Sequence, residues 1–189
     1  MKNKKEKIKV TPEELGKVLC VFSHNMTCRY LDDEEMLQGL GIKKIEGDSL
    51  YHQDKKKRQK THLGVEIVTA LFYFTVLQID ELFKGEEIGN RILDSMREAH
   101  HKVMDLDEAG INIAEEHFVK RYEEYTDASE EKRGPNWLWP VTHHILNNLR
   151  QEKTEDWRPM AKLMIFLENV TVEISDLIKN KYEIVNRLS

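Results

Sequence analysis

From Met160 to Leu188 apolar residues recur at alternating steps of three and four: Met160, Leu163, Leu167, Val170, Ile174, Leu177, Ile184 and Leu188. That spacing predicts one helix with a stripe turned toward other helices. Met164, Ile178 and Val185 widen the stripe, and Thr171 and Lys181 interrupt it. A helix from Pro159 to Leu188 is a rod of about 45 Å at about 1.5 Å per residue, long against the radius of gyration of about 16 Å for a compact chain of this size.

The same reading along the rest of the chain predicts further helices. Thr11-Pro12-Glu13-Glu14 has the form of an N-cap, a proline at the first helical position and acidic residues in the first turn. Leu15, Val18, Leu19 and Phe22 give that helix an apolar face, with a break expected near Ser23 to Asn25 before Met26 and Tyr30. Asp32 with Glu35 reads as a capping pair for a short helix ended by Gly39 and Gly41. Gly41 to His52 alternates weakly about Gly47-Asp48, the pattern of a short β-hairpin, and the run Lys55 to Lys60 reads as a linker or an exposed helix start. Long helices are then expected from about His62 to Phe83, Glu86 to Met104 and Glu108 to Thr126, the last two joined by a tight hairpin at Asp105-Leu106-Asp107. Asp127 to Pro135 reads as a loop. A short helix opens at Trp137-Leu138-Trp139-Pro140 and runs to about Arg150, and Trp157 is placed as a staple for the helix that begins at Pro159.

The expected fold is therefore all-α: a bundle of about five helices over residues 62–189 with a long C-terminal helix. A small basic N-terminal helical subdomain with its linker, residues 1–61, precedes it and carries the candidate hairpin. Nine glycines and four prolines in 189 residues leave little room for a turn-rich β fold. Cys20 and Cys28, eight apart, match neither a metal knuckle nor a disulfide framework, so a reducing, cytoplasmic setting is the simplest expectation. The basic start lacks the apolar run of a secretory signal. Leu63 to Ile79 is apolar but holds Glu66 and Gln78, which favours a buried core helix over a membrane span, so no membrane partner is expected. The net charge of −5 is unevenly spread, because residues 1–62 hold fourteen Lys or Arg against ten Asp or Glu. That asymmetry makes the first third a candidate for polyanion contact or a solubilising tail.

Chemistry is harder to locate. Glu98 and His101 stand three apart, the ligand spacing of dinuclear carboxylate bundles, but on a helical wheel they fall about 120° and about 180° from the centre of the Ile88, Ile92, Met96, Ala99, Val103 and Leu106 stripe. His117 lies level with Glu98 across the hairpin, at the edge of the Ile111, Ala114, Phe118, Tyr122 and Tyr125 stripe. These three are weak metal candidates, and no metal or other cofactor is expected. On the central helix His62, Glu66, Thr69, Tyr73 and Asp80 share the polar side; a carboxylate there near a tyrosine is a general acid–base candidate only if it lacks a partner. No nucleophile motif or phosphate-binding glycine loop accompanies it. In the short helix His143 with Asn147 and His144 with Asn148 form i,i+4 pairs opposite Val141, Ile145 and Leu149. With Trp137 and Trp139 they make an uncharged polar patch that serves either a neighbouring helix or a partner interface.

The order of Thr11 to Leu19, Ser23 to Leu31 and Gly41 to Ile45 with its hairpin resembles small winged helix-turn-helix domains of the excisionase type, over less than a third of the chain. The resemblance implies a second helix reading DNA and a wing. It departs at the reading segment, where Arg29 is the only cation in His24 to Leu31 and four acidic residues follow. Lys43, Lys44, Lys55, Lys56, Lys57, Arg58 and Lys60 are the nucleic-acid candidates that remain. The function expected is thus a non-enzymatic helical module for protein interaction, with a protein partner or self-association through the long helix. A nucleic-acid-binding regulator is the alternative, and a metal- or carboxylate-dependent enzyme the third reading.

Overall fold

The structure is a computed structural model that describes residues 7–39, 50–131, 138–149 and 158–185, with backbone alone for residues 36, 38, 39, 50–60 and 131. It is all-α apart from one two-stranded parallel sheet. In chain order the elements are β1 (Ile8–Val10), α1 (Pro12–Asp32), α2 (Glu34–Gly39), α3 (Leu50–Phe83), α4 (Glu87–Val103), α5 (Glu108–Glu131), α6 (Leu138–Leu149), α7 (Arg158–Asp176), a π-helical turn (Leu177–Lys181) and β2 (Tyr182–Ile184).

α1 begins where its caps require. The Thr11 hydroxyl accepts from the Glu14 N–H at 3.2 Å and the Glu14 carboxylate accepts from the Thr11 N–H at 2.8 Å, which closes the capping box with Pro12 at the first position. The expected break at Ser23 to Asn25 does not occur. Ser23 is buried, Thr27 donates its hydroxyl to the Ser23 carbonyl at 2.9 Å, and the helix runs on to Asp32. Without a turn there, residues 12–32 cannot supply the two helices of a helix-turn-helix, so the excisionase-type resemblance fails on its main element. The candidate hairpin at residues 41–52 lies largely outside the described residues, and its last three residues belong to α3.

α3 is the central helix and touches α1, α4, α5, α6 and α7. Leu63, Ile67, Ala70, Leu71, Phe74 and Ile79 are buried along it, and so are Glu66, Thr69 and Tyr73 from its polar row. The stretch Thr61–Phe83 is long and apolar enough to cross a bilayer, and 67% of its most apolar window is buried inside the fold, as in a core helix.

α1 and α4 approach so closely that a Cβ on Gly16 would meet the Ile92 carbonyl oxygen, with the Met96 nitrogen at 2.8 Å and the Ser95 Cβ at 2.9 Å. Ser95 donates to the Glu13 carbonyl at 2.8 Å, and Arg91 donates to the Glu13 carboxylate at 2.8 Å. The α4–α5 hairpin is as expected. Asp105 at φ +50° lets the Leu106 and Asp105 N–H groups return to the His101 and Lys102 carbonyls, and Asp107 caps α5 by accepting from Gly110 at 2.8 Å.

Three boundaries differ from the pattern, the first being the start of α3 at Leu50 and not near His62. α5 continues past Thr126 through most of the expected loop to Glu131, because Tyr125 and Ala128 extend its stripe into the core. The last helix is shorter than the Pro159 to Leu188 rod. It ends through a π turn, and Tyr182, Glu183 and Ile184 then pair in parallel with Ile8, Lys9 and Val10. Tyr182 and Ile184 alternate with exposed Glu183, so the residues that extended the helical stripe also satisfy a strand.

Replacing Gly16 with Ala tests the α1–α4 contact. Helix propensity alone favours Ala by about 1 kcal/mol, whereas overpacking costs about 1–3 kcal/mol. With backbone atoms of α4 in the way, the expected outcome is net destabilisation, read as a lower urea midpoint at unchanged slope. A stabilised variant would mean that α4 is free to move away.

Candidate functional site

A cavity of about 790 Å³ opens between α3, α4 and α5, within the range of roughly 300–1,000 Å³ typical of small-molecule sites. Its walls are three helical stripes. α3 contributes Val65, Val68, Thr69, Phe72 and Val76; α4 contributes Leu93, Met96, Arg97, His100 and His101, with Met104 just past its end; α5 contributes Ile113, Ala114, Glu115, His117, Phe118 and Tyr122. Each set follows steps of three, four and seven, so each helix turns one face to the gap.

The cavity exists because α5 packs over only half its length. Tyr125 and Ala128 are fully buried, but Ile111, Ala114, Phe118 and Tyr122 from the same stripe remain partly exposed. Of the lining residues Met104, Ile113 and Val119 are exposed, Ile113 by 68%, and Val103 at the end of α4 is exposed as well. The Val103 end of the α4 stripe therefore faces solvent and not the core expected from its phase.

One buried ion pair holds α5 in place. Glu66 of α3 is completely buried, and Arg121 donates to both its oxygens, at 3.0 and 2.8 Å. Arg121 also donates to Glu124 at 2.8 Å, and Asn148 of α6 donates to the same Glu124 oxygen at 3.3 Å. Burial opposes the Arg121 charge, but the hydrogen bonds to Glu66 and Glu124 outweigh it and raise its pKa. Burial likewise pushes Glu124 up, and the Arg121 bonds more than reverse this, so its carboxyl sits below the usual range. His117 lies 3.6 Å from Glu66; burial holds its pKa down against the pull of that carboxylate.

Two contacts bridge the cavity's other edges. Glu115 reaches from α5 to α4, 3.1 Å from His101 and 3.6 Å from Arg97. At the α1 side, His24 Nε2 and His100 Nδ1 share a hydrogen bond of 3.0 Å, with the rings stacked at 5.2 Å and Phe72 edge-on to His100. Desolvation lowers the pKa of both histidines; for His100, proximity to His24 and His101 adds to it and brings the value to about 4.

The sequence candidates fall in several places. His101 and His117 both line the cavity, but in separate contacts, with Glu115 and Glu66; Glu98 is exposed on α4. Among the described residues no group of three or more His, Cys, Asp and Glu side chains comes together to hold a metal. Trp139 is exposed by 47%, and His143 accompanies Asn147 at 3.2 Å on the exposed side of α6. His144 and Asn148 are half-buried; Asn148 is the one that joins the Glu124 network, and its carbonyl lies 3.3 Å from His62 Nε2. Trp137, Lys43 and Lys44 lie outside the described residues. Lys55, Lys56, Lys57, Arg58 and Lys60 lie on the first turns of α3, where only the backbone is described. Arg121, His24 and His100 were not among the candidates. A buried carboxylate on an apolar helix calls for a cation, which is the one signal in the sequence that points toward Arg121.

Two predictions follow from this geometry. Arg121→Ala leaves Glu66 buried with only His117 beside it, 3.6 Å away, so it should cost about 3–5 kcal/mol, whereas Glu66→Leu with Arg121→Met should recover most of that; denaturant midpoints of the two variants compare them directly. The second concerns acid. His24 and His100 are neutral in the fold, and in the unfolded chain they titrate near 6.5. Below about pH 6.5 the unfolded state takes up protons first, so their stabilising contribution, complete above that pH, declines as pH falls toward about 4 for His100. We expect a loss on the order of 2 kcal/mol between pH 7 and 5, measured by urea unfolding and largely absent in His100→Phe. An equal loss in that variant would assign it to other groups.

No protein-family model, curated protein or solved structure matches the chain.

Proposed function

We propose that this chain is a non-enzymatic helical binding module that captures an apolar guest between α3, α4 and α5. The observation that carries this reading is the uncovered half of the α5 stripe. Ala114, Phe118 and Tyr122 stand opposite Phe72 of α3 and Met96 of α4 across a cavity of about 790 Å³, with further exposed aliphatic side chains at its mouth. Contiguous exposed apolar surface of this kind marks binding sites more often than inert surface. The polar groups at the wall favour holding over chemistry. Glu66 is engaged by Arg121, Glu115 by His101 and Arg97, and His100 by His24. Cys20 is buried, and desolvation raises its pKa to about 11, so it is a poor nucleophile at neutral pH.

Self-association through the C-terminal helix has less behind it. Leu163, Leu167, Val170 and Ile174 of its stripe are fully buried within the chain, and the outward Ile165 and Val172 are two isolated exposures.

The test is titration with N-phenyl-1-naphthylamine, an apolar fluorophore. Saturable binding at about one equivalent with a blue-shifted emission is expected, and Ala114→Trp, which fills the cavity from α5, should weaken it at least tenfold while the circular dichroism is unchanged. Non-saturable binding, or binding indifferent to Ala114→Trp, would remove the reading.

A further inference from the structure

We infer that the guest of this cavity is an uncharged, largely apolar small molecule, lying beneath the Glu115 contact and between the rings of Phe72 and Phe118. The inference rests on the capture reading above and adds the chemical class of what is captured.

Histidines aside, the charged groups of the wall are Arg97, Glu115 and Glu123. Arg97 is its one guanidinium, 51% exposed, and Glu115 at 3.6 Å and Asp94 at 3.7 Å already balance it. Glu115 is in turn shared between Arg97 and His101. An anionic guest would have to take Arg97 from these carboxylates, and a cationic one would have to take Glu115 from Arg97 and His101. Glu123 stands at the exposed rim, where water screens it. Deeper in, Val68, Phe72, Leu93 and Met96 are apolar, and the imidazoles of His100 and His117 are kept neutral by burial. A charged group carried into this interior loses its hydration and gains no free countercharge, which costs several kcal/mol.

The same geometry favours a small molecule over a partner's helix. Glu115 joins α5 to His101 and Arg97 of α4 across the cavity wall. A helix laid along the groove would have to break both contacts, whereas a molecule on the scale of the cavity fits beneath them. The walls offer aromatic and branched surface on both sides, with Phe72 from α3 and Phe118 and Tyr122 from α5, and such surface suits a flat ring system or a folded acyl chain.

The experiment compares three probes on one skeleton at neutral pH: N-phenyl-1-naphthylamine, its 8-sulfonate, and a derivative with a quaternary ammonium on the naphthalene ring. The uncharged probe is expected to bind at least tenfold more tightly than either charged one. A charged probe within tenfold of the uncharged one overturns the inference and leaves capture standing. Saturable binding by none of the three removes the capture reading itself.

Discussion

A carboxylate with no access to water has to be answered by the fold, and Glu66 is such a carboxylate at the middle of the central helix. Ionised and unpaired it would cost several kcal/mol, so the position of Arg121 is constrained to within hydrogen-bond reach of two oxygens. That requirement sets the register of α5 against α3. Residues C-terminal to Arg121 fall onto the core, where Tyr125 packs its ring 5.4 Å from that of Tyr73. Residues N-terminal to it run toward the hairpin with α4. The ion pair thus acts as the fulcrum of α5, with packing on one side and the cavity on the other. Arg121 also ties the core to α6, since Glu124 receives Arg121 and Asn148 on the same oxygen.

The opposite wall is anchored as firmly, but elsewhere. α4 presents Ile92 and Met96 to α1, and the lack of a side chain at Gly16 lets the two backbones come close. Arg91 and Ser95 add hydrogen bonds to Glu13 in the first turn of α1. Burial and the short contact with His24 hold His100 to the same side. α4 therefore cannot roll toward α5 without opening its interface with α1. Two helices joined by a short hairpin would ordinarily close on each other's apolar faces; here each is committed to a different neighbour, and the gap between them stays open.

Local chemistry was legible where it depends on neighbours in the chain. The Thr11 and Glu14 capping box, the Asp105 to Asp107 hairpin, the bounds of α4 and the core face of α6 follow from spacing and side-chain type alone. The all-α class follows from the same periodicity. What the spacing does not carry is which stripe meets which. Ala114, Phe118, Tyr122 and Tyr125 are one line in the sequence, yet only Tyr125 is sealed, because the splay of α5 is set by Glu66, fifty-five residues before Arg121. The phase of His101 places it away from the α4 stripe, correctly, but the α5 hairpin covers that side and gives it Glu115. The end of α7 was misread for a related reason. Tyr182 and Ile184 fit either a helical stripe or an alternating strand, and the partner that resolves this, Ile8 to Val10, is at the other end of the chain.

An open apolar groove is a wetted surface, and its cost is the hydrophobic area left in water, at about 25 cal/mol per Å². That cost pulls the walls together, so a groove persists only where closing it would cost more. Closing this one would mean parting α4 from the close contact at Gly16, or moving α5 off the Glu66 and Arg121 pair and leaving a carboxylate buried alone. Either change breaks interactions that have no substitute among the described residues, whereas the groove's own walls, Phe72, Met96, Ala114 and Phe118, tolerate any apolar contact. The structure therefore separates its rigid parts from its permissive ones: polar pairs and close backbone contacts hold the walls apart, and side chains indifferent to their partner line the space between them. For the capture proposed above, such an arrangement would select by polarity and volume, with few fixed hydrogen bonds to dictate the orientation of what enters.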